Sequence, residues 1–191
     1  MKRHIERKSL LGLGLVLLSA CGPDMQEADA PETGQASQRL TNVLTNGSFE
    51  MAPPLGFSNY ITLSSSTTGL TGWTVQNSVQ LMSNTYKTPA QGTRSINLSL
   101  GGVSQTFPTI QGAGYTVYFS LSTSPACASS MRTMDVSVNG LTYNFSTSSA
   151  SWANRNFVFN AAGTSATIVF KNSYLNQVCG PSVDKISVMG P

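Results

Sequence analysis

Histidine is nearly missing from this 191-residue chain: one stands at position 4 and none follows. Beyond it there is no imidazole to serve as a general base, to relay a proton to serine or cysteine, or to ligate a metal. Charge is sparse too, with Asp, Glu, Lys and Arg at 10% of residues. Helical periodicity is absent, so no Gly-rich loop opens a helix that could cradle a phosphate. No apolar run approaches the ~20 residues that cross a hydrocarbon core. The cations of residues 41–191 (Lys87, Arg94, Arg132, Arg155, Lys171, Lys185) stand singly. Their spacing offers no polybasic footprint for nucleic acid or for an anionic lipid surface.

What is present begins with a leader. Lys2, Arg3, Arg7 and Lys8 precede an apolar stretch at residues 10–18, and Leu18-Ser19-Ala20 suits a signal peptidase. Leu-Ser-Ala-Cys resembles the bacterial lipobox, which predicts cleavage before Cys21 and lipid on its thiol. Multiple acyl chains anchor stably, since each buried methylene contributes ~0.8 kcal/mol. Gly22 in second place, by resemblance to the bacterial sorting rule, predicts an outer-membrane or cell-surface location. Residues 21–40 are acidic and nearly free of aliphatic side chains, which predicts a flexible tether. Four of the eleven basic residues and one of the eight acidic ones lie in residues 1–20. The formal +3 therefore belongs to the leader, and the remaining chain is neutral.

Residues 41–191 are the size of one domain. Short segments rich in Val, Ile, Thr, Tyr and Phe alternate with Gly, Ser, Asn and Pro, the pattern of strands and turns. Tyr115, Val117, Phe119 and Leu121 interleave with Thr116, Tyr118 and Ser120. Met134, Val136 and Val138 interleave with Thr133, Asp135 and Ser137, and lead into Asn139-Gly140 before Leu141, Tyr143 and Phe145. Asn-Gly suits the positive φ values of a type I′ turn, so a hairpin is predicted there. Further strands are predicted at 73–76, 79–82, 94–98, 103–107, 156–159, 166–171 and 183–189. About ten strands without helices predict an all-β, antiparallel two-sheet β-sandwich.

Outside the cytoplasm Cys127 and Cys179 predict a disulfide, the alternative being two free buried thiols. Without histidine the pair makes a poor zinc site. Three carboxylates remain. Asp135 shares the polar face of its strand and reads as solvated. Glu50 and Asp184 lie near opposite ends of the domain and meet if the terminal strands pair. Strict alternation puts Asp184 on the inward face with Ile186 and Val188, where a carboxylate needs a partner. Three roles stay open for the pair: a structural calcium site completed by carbonyls of the Asn46–Phe49 turn, ion pairs to Arg94 or Lys185, or a glycosidase couple.

An ordered series runs through the domain: Asn46-Gly47-Ser48-Phe49-Glu50, Gly69-Leu70-Thr71-Gly72-Trp73, Gln91-Gly92-Thr93-Arg94-Ser95-Ile96-Asn97-Leu98, Val103-Ser104-Gln105-Thr106-Phe107, Tyr115-Thr116-Val117-Tyr118-Phe119-Ser120 and Val183-Asp184-Lys185-Ile186-Ser187-Val188. It resembles the bacterial choice-of-anchor C family and the plant cell-wall proteins called domain of unknown function 642. The plant group shares a cysteine after the central strand and a Cys-Gly-Pro before the last, here Cys127 and Cys179-Gly180-Pro181. The resemblance implies a galactose-binding-like jelly roll related to carbohydrate-binding modules, with Glu50 and Asp184 as a structural calcium pair. Lys185 departs from the second acidic residue common among relatives.

The function so implied is non-catalytic: a membrane-anchored envelope lipoprotein whose module binds polysaccharide. The alternative is a protein-binding or adhesive module without a sugar ligand. Sugar sites set a flat aromatic face against a pyranose and reach its hydroxyls with amides or arginine. Tyr86, Trp152 and Tyr174 are the aromatic candidates, with Arg94 and Asn84 as polar partners; Trp73, at a strand start, reads as core.

Overall fold

The computed structural model describes residues 39–127, 130–175 and 179–191. The leader, Cys21 and nearly all of the tether lie outside them. In chain order the first strands are β1 (Thr41–Asn42), β2 (Tyr60–Ser64), β3 (Thr74–Gln76), β4 (Ser78–Ser83), β5 (Arg94–Asn97) and β6 (Gly102–Pro108). Then follow β7 (Gly114–Thr123), β8 (Arg132–Val138), β9 (Leu141–Thr147), β10 (Ala153–Asn160), β11 (Ser165–Asn172) and β12 (Pro181–Gly190). They form two antiparallel sheets, one in the order β10-β7-β12-β5-β4-β2 with β1 also paired to β12, the other in the order β3-β6-β11-β8-β9. This is the predicted β-sandwich. Every predicted strand is present, and the structure adds β1 and β2.

The core fills the space between the sheets because one face of each strand is apolar. Tyr115, Val117, Phe119 and Leu121 of β7 meet Val103 and Phe107 of β6, Ile168 and Phe170 of β11, and Met134, Val136 and Val138 of β8 in one buried cluster. Phe119 sits edge-on to Phe170 and Phe145, at centroid distances of 5.4 and 5.0 Å. Trp73 is 7% exposed, packs 5.4 Å from Phe49, and donates its indole N–H to the Asn46 carbonyl at 2.9 Å. It is core, as the sequence implies. Asn139 and Gly140 take φ of 51° and 77° between β8 and β9, the positive pair that the hairpin requires.

Cys127, in a 3₁₀ turn after β7, is bonded to Cys179, which precedes β12. The bridge closes the end where Thr123 of β7 pairs with Pro181 of β12.

β12 is irregular. Asp184 pairs with Ser120 and Ser187 with Tyr118, so three steps along β12 oppose two along β7. Lys185 is the extra residue, at a φ of +54°. A bulge of this kind resets the alternation. Val183, Ile186 and Val188 therefore all reach the core, while Asp184 lies on the outer face beside Ser120. The inward position expected for Asp184 alongside Ile186 and Val188 is corrected by this single inserted residue.

Candidate functional site

The outer face of the larger sheet carries two adjoining features: a loop strapped across it and an open pocket beside the strap. The loop is residues 84–93, between β4 and β5. Its far part is held by the two carboxylates singled out in the sequence. Asp184 Oδ2 accepts the Gln91 N–H at 2.9 Å, and Oδ1 accepts the Lys185 N–H at 2.7 Å. Glu50 Oε1 accepts the N–H groups of Thr93 and Arg94 at 2.8 and 3.0 Å, and Oε2 accepts the Thr93 hydroxyl at 2.6 Å. Gly92 has a φ of +71° and runs so close that a Cβ there would lie 2.3 Å from Glu50 Oε1. Only glycine suits such a conformation and approach.

The near part of the loop is held by a cation. Lys87 is buried, donates to the Ala150 carbonyl at 2.6 Å, and places Nζ 4.7 Å from the centroid of the Trp152 ring. Trp152 in turn donates its indole N–H to the Thr88 carbonyl at 2.8 Å. Burial lowers the Lys87 pKa. Asp184, with 0% of its surface exposed, has its pKa raised to about 7 by desolvation, with a smaller contribution from the Glu50 charge. The backbone N–H groups that it accepts pull the other way and do not overcome burial.

Sequence reasoning thus brings Glu50, Asp184, Arg94, Trp152 and Tyr86 to one place, but as parts of the strap. The Arg94 guanidinium donates to the carbonyls of Ala52 and Pro53, at 2.9 and 3.2 Å, rather than to either carboxylate. Tyr86 packs its ring 5.5 Å from Tyr60. Tyr174 is exposed on the turn after β11, where its backbone brackets the Asn172 side chain. Asp135, read as solvated, accepts bonds from Ser173 and Asn144.

The pocket has a cavity volume of about 750 Å³ and opens next to Gln91. Strand register explains its floor. Asn156 of β10, Tyr118 of β7 and Ser187 of β12 are paired side by side, so their outward side chains form one row across three strands. The next row is Asn154, Ser120 and Asp184, with Ser120 donating to Asn154 Oδ1 at 3.1 Å. β1 and the segment after it make one wall through Asn42, Asn46 and Ser48, Gln91 lines the cavity from the strap, and Lys185 lines it from β12. Tyr118 is 46% exposed, an aromatic ring on a polar floor. Asn42 and Asn46 are held by backbone partners, Val188 and Leu44 for the first, Met51 and Thr71 for the second. The side chains of Gln91, Asn156 and Lys185 make no hydrogen bond within the described residues. Among the described residues no carboxylate, imidazole or thiol lines the cavity.

Residues 42–189 match the model of the family described as protein of unknown function, DUF642. The chain belongs to that family. No curated protein matches the sequence. Among solved structures the fold is similar to part of an arabinose-bound GH51 α-L-arabinofuranosidase, with TM-score 0.53 and 13% identity over 78% of this chain. It is also similar to a CBM61 structure in complex with β-1,4-galactotriose, with TM-score 0.49 and 17% identity over 79% of this chain and 99% of that one. A family 35 carbohydrate binding module from Clostridium thermocellum gives 0.47 and 16%, over 69% and 98%. This DUF642 chain spans 26% of the arabinofuranosidase chain and 30% of an exo-β-1,3-galactanase chain from Phanerochaete chrysosporium. At 13% identity the likeness to part of the arabinofuranosidase bears on the fold alone.

None of the sugar-site candidates of the sequence (Tyr86, Arg94, Trp152, Tyr174 and Asn84) lines the pocket of this DUF642 member. One signal for the pocket residues exists: in the alternating strand 115–121, Tyr118 is an aromatic on the polar side. Lys185 had none, because its place depends on the bulge.

Proposed function

We propose that this protein is a non-catalytic carbohydrate-binding module whose ligand lies in the outer-face pocket. The observation that carries the reading is Tyr118, half-exposed in a row with Asn156 and Ser187 and bordered by the amide of Gln91. An aromatic ring offers the apolar face of a pyranose a partner, and amides exchange bonds with hydroxyls in both directions. The resemblance of the ordered sequence series to a family related to carbohydrate-binding modules supports that role.

Titration of the full chain with plant, fungal and bacterial oligosaccharides tests it. Binding of at least one glycan is expected, weakened about tenfold by Tyr118→Ala, the order of an aromatic contact near 1.4 kcal/mol. Equal affinity of the variant, with melting unchanged, would move the ligand elsewhere; one stoichiometric protein partner and no glycan would favour the adhesive alternative.

Two further parts of the proposal rest on the sequence. The lipobox-like Leu-Ser-Ala-Cys and the resemblance to the choice-of-anchor C family support a lipid on Cys21 that holds the module to the envelope. Metabolic labelling with an alkynyl fatty acid should tag the protein and not Cys21→Ala. Calcium at Glu50 and Asp184 is less favoured by the donor set. All four carboxylate oxygens accept N–H or O–H donors, and the Asn46 and Gly47 carbonyls accept N–H groups of Phe49, Trp73 and Ile186. A hard cation takes six to eight oxygen ligands, water included, and here it would have to share or displace those bonds. Melting with calcium and with chelator should coincide; a rise with calcium would restore the cation.

A further inference from the structure

We infer that the outer-face pocket selects a sugar unit bearing an anionic group, a carboxylate or a sulfate, held at the side where Lys185 lies. The inference rests on the carbohydrate reading above and narrows its ligand class. Three observations carry it. First, Lys185 lines the cavity and, among the described residues, no acidic residue does. Second, no carboxylate side chain of the described residues neutralises Lys185. Arg155, which pairs with the inward-facing Phe119, donates its guanidinium to the Asn154 carbonyl at 3.1 Å and leaves the outer face to Lys185. Lys185 meets Asp184 through its backbone N–H, and the Asp184 carboxyl is fully buried. In a domain whose residues 41–191 hold only six basic and three acidic side chains, an unpaired cation at a cavity is a scarce feature.

Third, the fold maintains Lys185 there against a backbone preference. A φ of +54° is uncommon for a side chain of this kind, and glycine would adopt it more readily. The bulge is instead stabilised by Asp184 accepting the Lys185 N–H and by the Ile186 N–H donating to the Gly47 carbonyl at 2.9 Å. Strain held in place by surrounding bonds, at a position that lines a cavity, points to a role for the side chain. A cation in a concave site attracts an anion more strongly than one on a flat, fully solvated surface, and the attraction is screened by salt.

The test is calorimetric titration of the full chain with matched trisaccharides: galactotriose, trigalacturonate and a sulfated galactotriose. One or both anionic ligands should bind about tenfold more tightly than the neutral one at low salt, equivalent to about 1.4 kcal/mol. Raising salt to the physiological range should shrink that advantage. Lys185→Gln should remove most of it, weakening the anionic ligand about tenfold more than galactotriose, and Lys185→Gly, which suits the positive φ, provides the second variant if the first unfolds. A preference for trigalacturonate assigns the anion as carboxylate, and one for the sulfated sugar as sulfate; either supports the inference. Equal or tighter binding of galactotriose overturns it and leaves the carbohydrate reading standing. Binding of none of the three, nor of any glycan in the wider panel, overturns both.

Discussion

Asp184 shows how far one residue's environment can depart from its sequence context. Its carboxyl is buried under the Gln91 backbone and holds its proton to about 7, against 3.8 for an ordinary aspartate. Between those values the folded chain binds more protons than the unfolded one, so stability falls as pH rises. The contribution is fully present below about pH 4 and lost by the time pH passes 7. Melting should therefore decline across that window by an amount on the order of a few kcal/mol, and Asp184→Asn should flatten the decline. A rise in stability over the same window would show that Asp184 is ionised and paired in the fold. The residue was visible in the sequence as a carboxylate needing a partner; its face was not. Alternation predicts side-chain direction only while the ladder is regular, and the insertion at Lys185 carries no sequence signature such as a glycine.

At the scale of elements, the strap over residues 84–93 and the bulged β12 depend on each other, since Asp184 holds both. The strap's tightest point is Gly92 against Glu50. Gly92→Ala would place a methyl group 2.3 Å from Oε1 and force a φ of +71° on an L-residue. A loss of at least about 1 kcal/mol is expected, with faster amide exchange in 90–94 than elsewhere. Unchanged melting and exchange would mean that Glu50 does not hold the loop. Strands were the most legible level of this protein. Apolar alternation in 115–121 and 133–138 and the Asn139-Gly140 turn specify their elements locally. β2 was missed although Tyr-Ile-Thr-Leu-Ser alternates, because its flanks in residues 53–59 and 65–72 carry no comparable pattern to frame it. The strap and pocket were illegible for another reason: both arise from which strands become neighbours, and β10, β7 and β12 are far apart in the chain.

At the scale of the whole molecule, sheet order joins the chain's ends to its middle, and the Cys127–Cys179 bridge fixes that closure across 52 residues. Reducing it, or replacing both cysteines by serine, should cost about 2–5 kcal/mol and lower the melting temperature without changing the strand content of the folded state. Identical melting curves with and without reductant would show that the bridge adds nothing to a sandwich already closed by its core. The same closure sets Asn156, Tyr118 and Ser187 in one row beside the strap, and the proposed function rests on that row. Amide chemical-shift mapping of the labelled protein during titration with a bound oligosaccharide tests it most directly. The shifts should centre on Tyr118, Asn154, Asn156, Lys185, Ser187 and Gln91. Shifts confined to Tyr174 or to the outer face of the five-stranded sheet, with the pocket silent, would contradict it.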